Sequence, residues 1–192
     1  VVPRDPGIPG QDGPNVHSYI DVLKKRSIPG KRVAVIGAGG IGFDVSEFLV
    51  HDGDSPTENL PEWMAEWGVS DPAVDRGGLA PEGPKPHAPA RAVTLLQRKA
   101  EKHGRRLGKT TGWIHRAALN MKDVQFVGGV NYERIDGKGL YVSFGEAHEN
   151  PTLIEADDIV LCAGQVPDRS LADALSAASI AHHIIGGADV AA

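Results

Sequence analysis

The most informative segment of this sequence reads Val33-Ala34-Val35-Ile36-Gly37-Ala38-Gly39-Gly40-Ile41-Gly42. Its first four residues form the apolar, largely β-branched run of a buried strand, and this run passes directly into a G-x-G-x-x-G turn. A helical pattern then continues from Gly40 to Val50. A strand, a glycine turn and a helix in this order are the opening unit of a dinucleotide-binding βαβ fold.

Each glycine of the turn has a separate physical role in such a site. Gly37 permits the tight turn off the strand, Gly39 lets a pyrophosphate approach the backbone, and Gly42 lets the helix pack closely on the strand. The first N–H groups of the helix, at Gly40 and Ile41, lack intrahelical partners and lie at the positive end of the helix dipole. We therefore expect them to face the phosphates. A glycine turn with only a structural role is the alternative.

Composition limits the class of protein. With 192 residues, 41% of them apolar, the chain can bury the core of one domain, alone or with attached pieces. A net charge of −5 and a pI near 5.9 argue against a general nucleic-acid binder. No apolar run reaches the ~18 residues of a membrane span and no signal peptide begins the sequence. We therefore expect a cytoplasmic protein without a membrane partner. Its opening on Val1-Val2-Pro3-Arg4 suggests a piece of a longer chain.

Few side chains are arranged for covalent or metal chemistry. Cys162 is the only cysteine, which excludes an internal disulfide, and its place in the apolar run 159–162 predicts a buried residue. The histidines, among them His115 and the pair 182–183, show no zinc spacing. The segment 104–110 is one residue too short for a P-loop. We expect neither a catalytic residue nor a metal ligand in this chain.

The rest of the chain alternates strand and helix patterns up to residue 127 and then changes to short alternating runs. The predicted strands cover 31–36, 91–97, 124–127, the hairpin 130–144 with a possible extension at 152–154, and 158–162. The predicted helices cover 16–25, 40–50, 112–122 with Thr111 as N-cap, and 170–179. This pattern predicts an α/β, Rossmann-like three-layer NAD(P)-binding domain over 31–163, with three parallel strands, a β-meander and a returning fourth parallel strand.

An insertion at 52–90 interrupts this alternation. It contains seven of the fourteen prolines, so regular structure is mostly excluded. One helix is predicted from Pro61 to Trp67, ending at Gly68, with two tryptophans and Met64 on one face. Two interpretations remain for this segment: a small satellite core that holds a long loop, and a lid over the cofactor.

The residues that follow the second strand of the βαβ unit predict which dinucleotide binds. In this fold a carboxylate at that position accepts from the ribose 2′-OH of NAD, whereas basic residues accommodate the 2′-phosphate of NADP. The sequence has Gln97, Arg98 and Lys99 there, with Lys102 close behind and no carboxylate at the end of the strand. An arginine can hold phosphate with two parallel hydrogen bonds. We therefore expect NADPH rather than NADH to bind.

Six segments together are typical of one enzyme family. They are 33–49, Leu95-Leu96-Gln97-Arg98-Lys99, Gly108-Lys109-Thr110-Thr111-Gly112-Trp113-Ile114-His115-Arg116, Val160-Leu161-Cys162-Ala163-Gly164-Gln165, Pro167-Asp168-Arg169 and Ile185-Gly186-Gly187-Ala188-Asp189-Val190-Ala191. They resemble the NADPH-dependent bacterial 2,4-dienoyl-CoA reductases from about Pro3 to the end of the chain. Asp168 is a departure, because related flavoproteins commonly carry asparagine after that proline.

The resemblance implies a modular flavoenzyme of which this chain is the NADPH-binding part. An N-terminal TIM barrel would hold FMN, a [4Fe–4S] cluster would be bound by cysteines, and this domain would be inserted in a C-terminal FAD domain. Hydride would pass from NADPH to FAD, and electrons through the cluster and FMN to an unsaturated fatty acyl-CoA. Two segments would be edges of the FAD domain: residues 164–192, and residues 1–30, which the residue pattern alone predicts to be a connector. Gly164 and Gln165 would lie near the nicotinamide, and Asp189 would contact FAD.

Two other functions stay open at this point. The first is the nucleotide-holding domain of a related FMN- and Fe–S-containing amine dehydrogenase, in which the nucleotide delivers no hydride. The basic residues after the second strand argue against it. The second is a non-catalytic NADP(H)-sensing module. In the reductase interpretation the partners are the small-molecule coenzyme and the FAD and TIM-barrel domains of the same polypeptide, without nucleic acid.

Overall fold

A parallel sheet with helices on one face and an antiparallel meander on the other organises the molecule. The computed structural model describes residues 1–191, so Ala192, the last residue of the predicted segment 164–192, lies outside the described residues. The strands are β1 (Val2–Pro3), β2 (Val16–Ser18), β3 (Arg32–Ile36), β4 (Ala92–Gln97), β5 (Gln125–Gly128), β6 (Val130–Asp136), β7 (Gly139–Phe144), β8 (Glu149–Glu155), β9 (Asp158–Leu161) and β10 (Gln165–Val166). The helices are α1 (Tyr19–Leu23), α2 (Gly40–Val50), α3 (Leu60–Trp67), α4 (Gly112–Met121) and α5 (Ser170–Ala177).

The central sheet has five parallel strands in the order β2-β9-β3-β4-β5. Its middle strand β3 is buried from Val33 to Ile36, as expected for a parallel strand covered on both faces. The chain steps outward from β3 to β4 and β5, and later returns on the other side of β3 as β9. The strand order therefore reverses at β3, where the glycine turn begins. This arrangement confirms the predicted α/β, Rossmann-like fold.

Two apolar cores cover the two faces of the sheet. On the helical side Phe43 and Leu49 of α2 pack with Leu119 of α4, all fully buried. On the other side Leu140 of the meander packs with Ile159 of the sheet. Full burial of a side chain of this size contributes about 1.5–3 kcal/mol. The predicted third layer, a β-meander, is present as the three-stranded sheet β6-β7-β8.

The first thirty residues contribute more to the sheet than the sequence predicts. The helix expected over 16–25 is wrong in its first turn, because residues 16–18 form β2 and pair in parallel with β9. The Ser18 hydroxyl accepts a hydrogen bond from the Ile20 N–H, which ends the strand and caps α1. The sheet therefore has five parallel strands instead of four. A strand of three residues is too short to show a period of two in the sequence.

The other predicted elements are confirmed, with ends that differ by at most three residues. Two details differ. The extension expected at 152–154 is a full strand, β8, paired antiparallel with β7. Thr111 precedes α4 but does not cap it through its side chain, because its backbone is already in the helical region and its hydroxyl accepts no cap hydrogen bond.

The insertion 52–90 packs at the end of the helical layer far from the glycine turn. Helix α3 ends at Gly68, whose φ of +66° favours glycine. Lys122 Nζ, at the C-terminal end of α4, lies 2.7 Å from Glu66 Oε1 of α3, and both side chains are buried. Helices that link parallel strands run opposite to them, so the end of α4 marks the amino edge of the sheet. This contact places α3 at the amino edge of the sheet, opposite the edge where the glycine turn lies, which favours the satellite core over the lid.

Candidate functional site

The glycine turn between β3 and α2 is closely packed on its inner side. Gly37 has a φ of +111°, and a Cβ atom added there would lie 2.2 Å from the carbonyl oxygen of Cys162. A Cβ atom on Gly42 would lie 1.8 Å from the carbonyl oxygen of Gly37. These distances are far below van der Waals contact, so neither position accepts a side chain without backbone movement. The tight turn and the close helix–strand packing expected of these two glycines are both observed.

The outer side of the same turn is open. A Cβ atom on Gly39 or on Gly40 would have no heavy atom within 4 Å, and both residues are exposed. Helix α2 begins at Gly40 and, with Gly39 as its N-cap residue, has no side-chain cap and no acidic residue in its first turn. The N–H groups of Gly40 and Ile41 are therefore not covered by a side chain. This bare helix start fits a pyrophosphate group.

The carboxyl ends of three strands meet beside this turn. The Gly37 N–H donates to the Leu96 carbonyl of β4 at 2.8 Å, and the Cys162 N–H donates to the Ile36 carbonyl of β3 at 2.8 Å. The residues that follow β4 and β9 therefore flank the glycine turn on its two sides. This edge, at the point where strand order reverses, is where ligands bind in folds of this kind.

The basic residues predicted to select NADPH lie in the loop after β4. Arg98, Lys99 and Lys102 are all exposed. The Gln97 side chain turns inward, and its Nε2 donates to the Lys99 carbonyl at 2.8 Å and to the carbonyl of Glu101. The Gly129 N–H also donates to the Lys99 carbonyl, at 3.2 Å. The backbone of this loop is thus tied to the end of β5, while its cationic side chains face solvent.

Two further titratable groups of this loop were not assigned a role from the sequence. The Glu101 carboxylate accepts from Arg105 Nη1 at 2.8 Å and lies 3.9 Å from Lys99 Nζ. The hydrogen bond from Arg105 lowers the pKa of Glu101 most strongly, with help from the charges of Lys99, Arg105 and Arg106. Burial lowers the pKa of His103, whose ring stands edge-on to Phe126 with centroids 5.2 Å apart. His103 therefore adds no charge to this loop at neutral pH.

Tyr132 of β6 also lies close to this loop. Burial raises the pKa of its phenol, and the nearby charge of Arg98 opposes that shift. No sequence signal points to this residue, because the meander that carries it begins only after the third strand of the fold. Its proximity to Arg98 follows from the packing of the third layer on the sheet.

Gly164 and Gln165 follow β9 on the opposite side of the glycine turn. Gly164 has a φ of +93°, and a Cβ atom there would meet no heavy atom within 4 Å. Gln165 lies in β10, which pairs with β1, and its Nε2 donates to the Tyr19 hydroxyl at 3.0 Å. Tyr19, at the start of α1, is thus a neighbour of the predicted nicotinamide region that sequence reasoning missed. The signal was its position directly after the unrecognised strand β2.

Asp189 stands apart from the other predicted site residues. Arg169 holds the segment around it, since its Nε donates to the Ala188 carbonyl at 3.1 Å and its Nη2 to the Asp189 carbonyl at 3.0 Å. The Asp189 carboxylate is exposed and lies 3.7 Å from Arg169 Nη2. No hydrogen bond or ion pair within the described residues joins it to the glycine turn.

Two cavities lie at opposite ends of the sheet. A cavity of about 240 Å³ at the carboxyl edge is bordered by Ser18, Ala163 and Gly164. A larger one, of about 660 Å³, lies between α2, α4 and the insertion, with Trp63, Trp67 and Arg91 in its walls. The larger cavity contains none of the predicted site residues, and it reflects how the insertion is packed. The smaller one lies at the same edge of the sheet as the glycine turn, and its lining includes one predicted site residue, Gly164.

Residues 1–191 contain no group of three or more His, Cys, Asp or Glu side chains arranged to hold a metal ion. Over the same described range, no helix is both long enough and apolar enough to cross a membrane.

A protein-family model and a known protein each match nearly the whole chain. The model of the pyridine nucleotide-disulphide oxidoreductases matches residues 1–188. A metal reductase from Desulforamulus reducens is 26% identical over 186 residues, which are 97% of this chain and 26% of that protein.

Solved structures show the same fold at low sequence identity. The 2-naphthoyl-CoA reductase in complex with 2-naphthoyl-CoA is 21% identical with a TM-score of 0.62, over 90% of this chain and 20% of that one. The 6-hydroxypseudooxynicotine amine oxidase from Pseudomonas geniculata N1 is 19% identical with a TM-score of 0.62, over 93% of this chain and 21% of that one. The chain thus spans between a fifth and about a quarter of the length of these three relatives. From its match over nearly all of its length, this chain belongs to the pyridine nucleotide-disulphide oxidoreductase family.

Proposed function

We propose that this chain is the NADPH-binding domain of a flavin-dependent oxidoreductase of the 2,4-dienoyl-CoA reductase type. The family consists of flavoprotein oxidoreductases that use a pyridine nucleotide. In the full-length protein NADPH would supply hydride to FAD, and a [4Fe–4S] cluster and FMN would carry the electrons on to an unsaturated fatty acyl-CoA in β-oxidation. The residues of this chain bind and orient the coenzyme, so the chain alone is not expected to reduce a dienoyl thioester.

The observation that carries the NADPH assignment is the cationic loop after β4. Arg98, Lys99 and Lys102 are exposed at the carboxyl end of the strand next to the glycine turn. A dinucleotide whose pyrophosphate lies at Gly39 and Gly40 brings its adenosine ribose to the end of that neighbouring strand. The loop then offers three cations to a 2′-phosphate and no carboxylate at the strand end itself.

The flavin side of the proposal rests on the two ends of the chain. Gly164 and Gln165 lead out of the domain beside the glycine turn, where the nicotinamide would lie. Asp189 would contact FAD from its exposed position next to Arg169. Both ends run through the paired strands β1 and β10, which favours residues 1–30 and 164–192 as the edges of an FAD domain.

Calorimetric titration of the chain with NADPH and with NADH tests the coenzyme assignment. We expect tighter binding of NADPH, and a loss on the order of 1.5–3 kcal/mol for NADPH in the Arg98→Ala variant, because hydrogen bonds to a charged group are worth this much. NADH binding is expected to be unchanged in that variant. Arg76→Ala is the matched control, since Arg76 is an exposed arginine in the insertion. Equal affinity for both coenzymes, or an unchanged NADPH affinity in Arg98→Ala, would exclude NADPH selectivity.

A second candidate function is the nucleotide-holding domain of an amine dehydrogenase. The structural likeness to an amine oxidase keeps it in consideration. In that case the purified protein would carry a bound nucleotide such as ADP, and NADPH would not bleach the flavin of the full-length protein in a stopped-flow measurement. A non-catalytic NADP(H)-sensing module would contain no flavin at all. A reading frame that continues into a barrel with clustered cysteines would favour the reductase over the sensor.

A further inference from the structure

Glu101 is a carboxylate placed among the cations of the proposed phosphate site. It is the one acidic residue in the basic run from Arg98 to Lys109. One carboxylate oxygen accepts from Arg105 Nη1 at 2.8 Å, and the other lies 3.9 Å from Lys99 Nζ. Its side chain is 28% exposed, whereas those of Lys99 and Arg105 are 65% and 71% exposed. The carboxylate therefore lies deeper in the loop than the two cations that surround it.

The position of Glu101 is fixed by the backbone of the loop. Gln97 Nε2 donates to the carbonyl oxygens of Lys99 and Glu101, so the strand end holds the loop on both sides of Ala100. The Gly129 N–H donates to the same Lys99 carbonyl from the neighbouring strand junction. A carboxylate held in this way meets its cations without the entropic cost of ordering a free loop.

We propose that Glu101 is a built-in competitor for the 2′-phosphate of NADPH. A carboxylate and a phosphate are both anionic acceptors of charge-assisted hydrogen bonds, so they compete for the same lysine and arginine donors. When the phosphate binds, Lys99 exchanges one anion for the other, and Glu101 remains, paired with Arg105, as a like charge beside the ligand. Glu101 thus weakens the hold on the 2′-phosphate and makes the coenzyme easier to release. This inference rests on the proposed NADPH-binding function.

The test isolates the 2′-phosphate by using adenosine 2′,5′-bisphosphate and 5′-AMP as ligands of the 192-residue chain in calorimetric titrations. In Glu101→Gln we expect the bisphosphate to bind about two- to tenfold tighter, because a partly exposed ion pair is no longer lost on binding and no like charge lies beside the phosphate. The affinity for 5′-AMP is expected to stay the same. The gain is expected to shrink as salt is raised, since partly exposed charges are screened.

Two further variants keep the result specific. Glu146→Gln makes the same change in net charge at an exposed glutamate of the β7–β8 turn, and we expect no change in either affinity. Lys99→Met combined with Glu101→Gln is expected to lose part of the gain, because one of the released cations is gone. A bisphosphate affinity that is unchanged or lower in Glu101→Gln would overturn the proposal.

The failure of this inference is distinct from the failure of the proposed function. If the unmodified chain binds the bisphosphate and 5′-AMP equally and Arg98→Ala changes neither, the NADPH assignment itself fails. If the unmodified chain prefers the bisphosphate but Glu101→Gln does not strengthen that preference, only the competitor role fails. A selective loss of 5′-AMP binding in Glu101→Gln would instead make Glu101 an acceptor for the ribose hydroxyls, which also overturns the competitor role.

Discussion

The buried ion pair between Lys122 and Glu66 offers the sharpest test of how the insertion is held. Lys122 Nζ lies 2.7 Å from Glu66 Oε1 and donates to the His87 carbonyl at 3.1 Å. The two side chains are only 4% and 6% exposed. Replacing Lys122 by methionine keeps most of the side-chain volume but leaves the Glu66 carboxylate buried without its partner. Removal of one member of a buried pair typically costs about 3–5 kcal/mol, so we expect a loss of this size in the free energy of unfolding.

Urea denaturation followed by circular dichroism measures this loss, and a double variant assigns its cause. Lys122→Met combined with Glu66→Leu removes both charges, and we expect most of the stability to return, because an apolar pair avoids the cost of desolvating two ions. The exposed pair Lys85–Glu82, at 3.5 Å in the same insertion, is the matched control. Lys85→Met is expected to cost under about 1 kcal/mol. A loss below about 1 kcal/mol in Lys122→Met, or a double variant as unstable as the single one, would refute the view that an unpaired buried charge is the cause.

The remaining predictions concern two glycines of the glycine turn and the loss of stability at acid pH. Gly42→Ala is expected to cost about 1–3 kcal/mol in urea denaturation, because its Cβ would lie 1.8 Å from the Gly37 carbonyl oxygen. Gly39→Ala is expected to leave stability within about 0.5 kcal/mol and to weaken NADPH about tenfold or more, since its Cβ would point into the open space left for the pyrophosphate. Equal stability of the two variants would contradict the packing argument. Arg32, by hydrogen bonds to the Asp157 carboxylate, lowers the pKa of Asp157 below its ordinary value of 3.8. This carboxylate stabilises the fold above that value and ceases to do so as the pH falls through its folded pKa. The melting temperature of Asp157→Asn is therefore expected to lie below that of the unmodified chain near neutral pH, and the difference is expected to narrow as the pH falls below 3.8. A difference that stays constant as the pH is lowered would contradict the assignment.

The parts of the fold that follow from local sequence could be predicted well. The strand 33–36, the glycine turn and α2 form one continuous segment, so their geometry depends on neighbours along the chain. The separate roles of Gly37 and Gly42 also follow from local geometry. Helix α3 was found from Pro61 and Gly68 for the same reason, because a proline near the start and a glycine after the end are local signals.

The parts that depend on contacts between distant residues could not be predicted. Strand β2 exists because residues 16–18 pair with β9, more than a hundred residues away. The pairing of Tyr19 with Gln165 depends on that strand. The insertion could not be placed from its sequence because Glu66 meets Lys122 only after α4 has packed on the sheet.

The two edges of the sheet differ in how their polar groups are satisfied, and this difference separates stability from binding. At the amino edge Asp158 Oδ1 lies 2.6 Å from His17 Nε2, and Asp158 Oδ2 accepts from the Gly30 N–H at 2.7 Å. The Lys122–Glu66 pair joins the insertion to the end of α4 at the same edge. At the carboxyl edge the start of α2 has no side-chain cap, and Arg98 makes no ion pair among the described residues. Polar groups satisfied within the protein contribute to folding, whereas those left open remain available to a ligand. Substitutions at the amino edge are therefore expected to change mainly the free energy of unfolding, and substitutions of Arg98 or Gly39 to change mainly the affinity for the coenzyme.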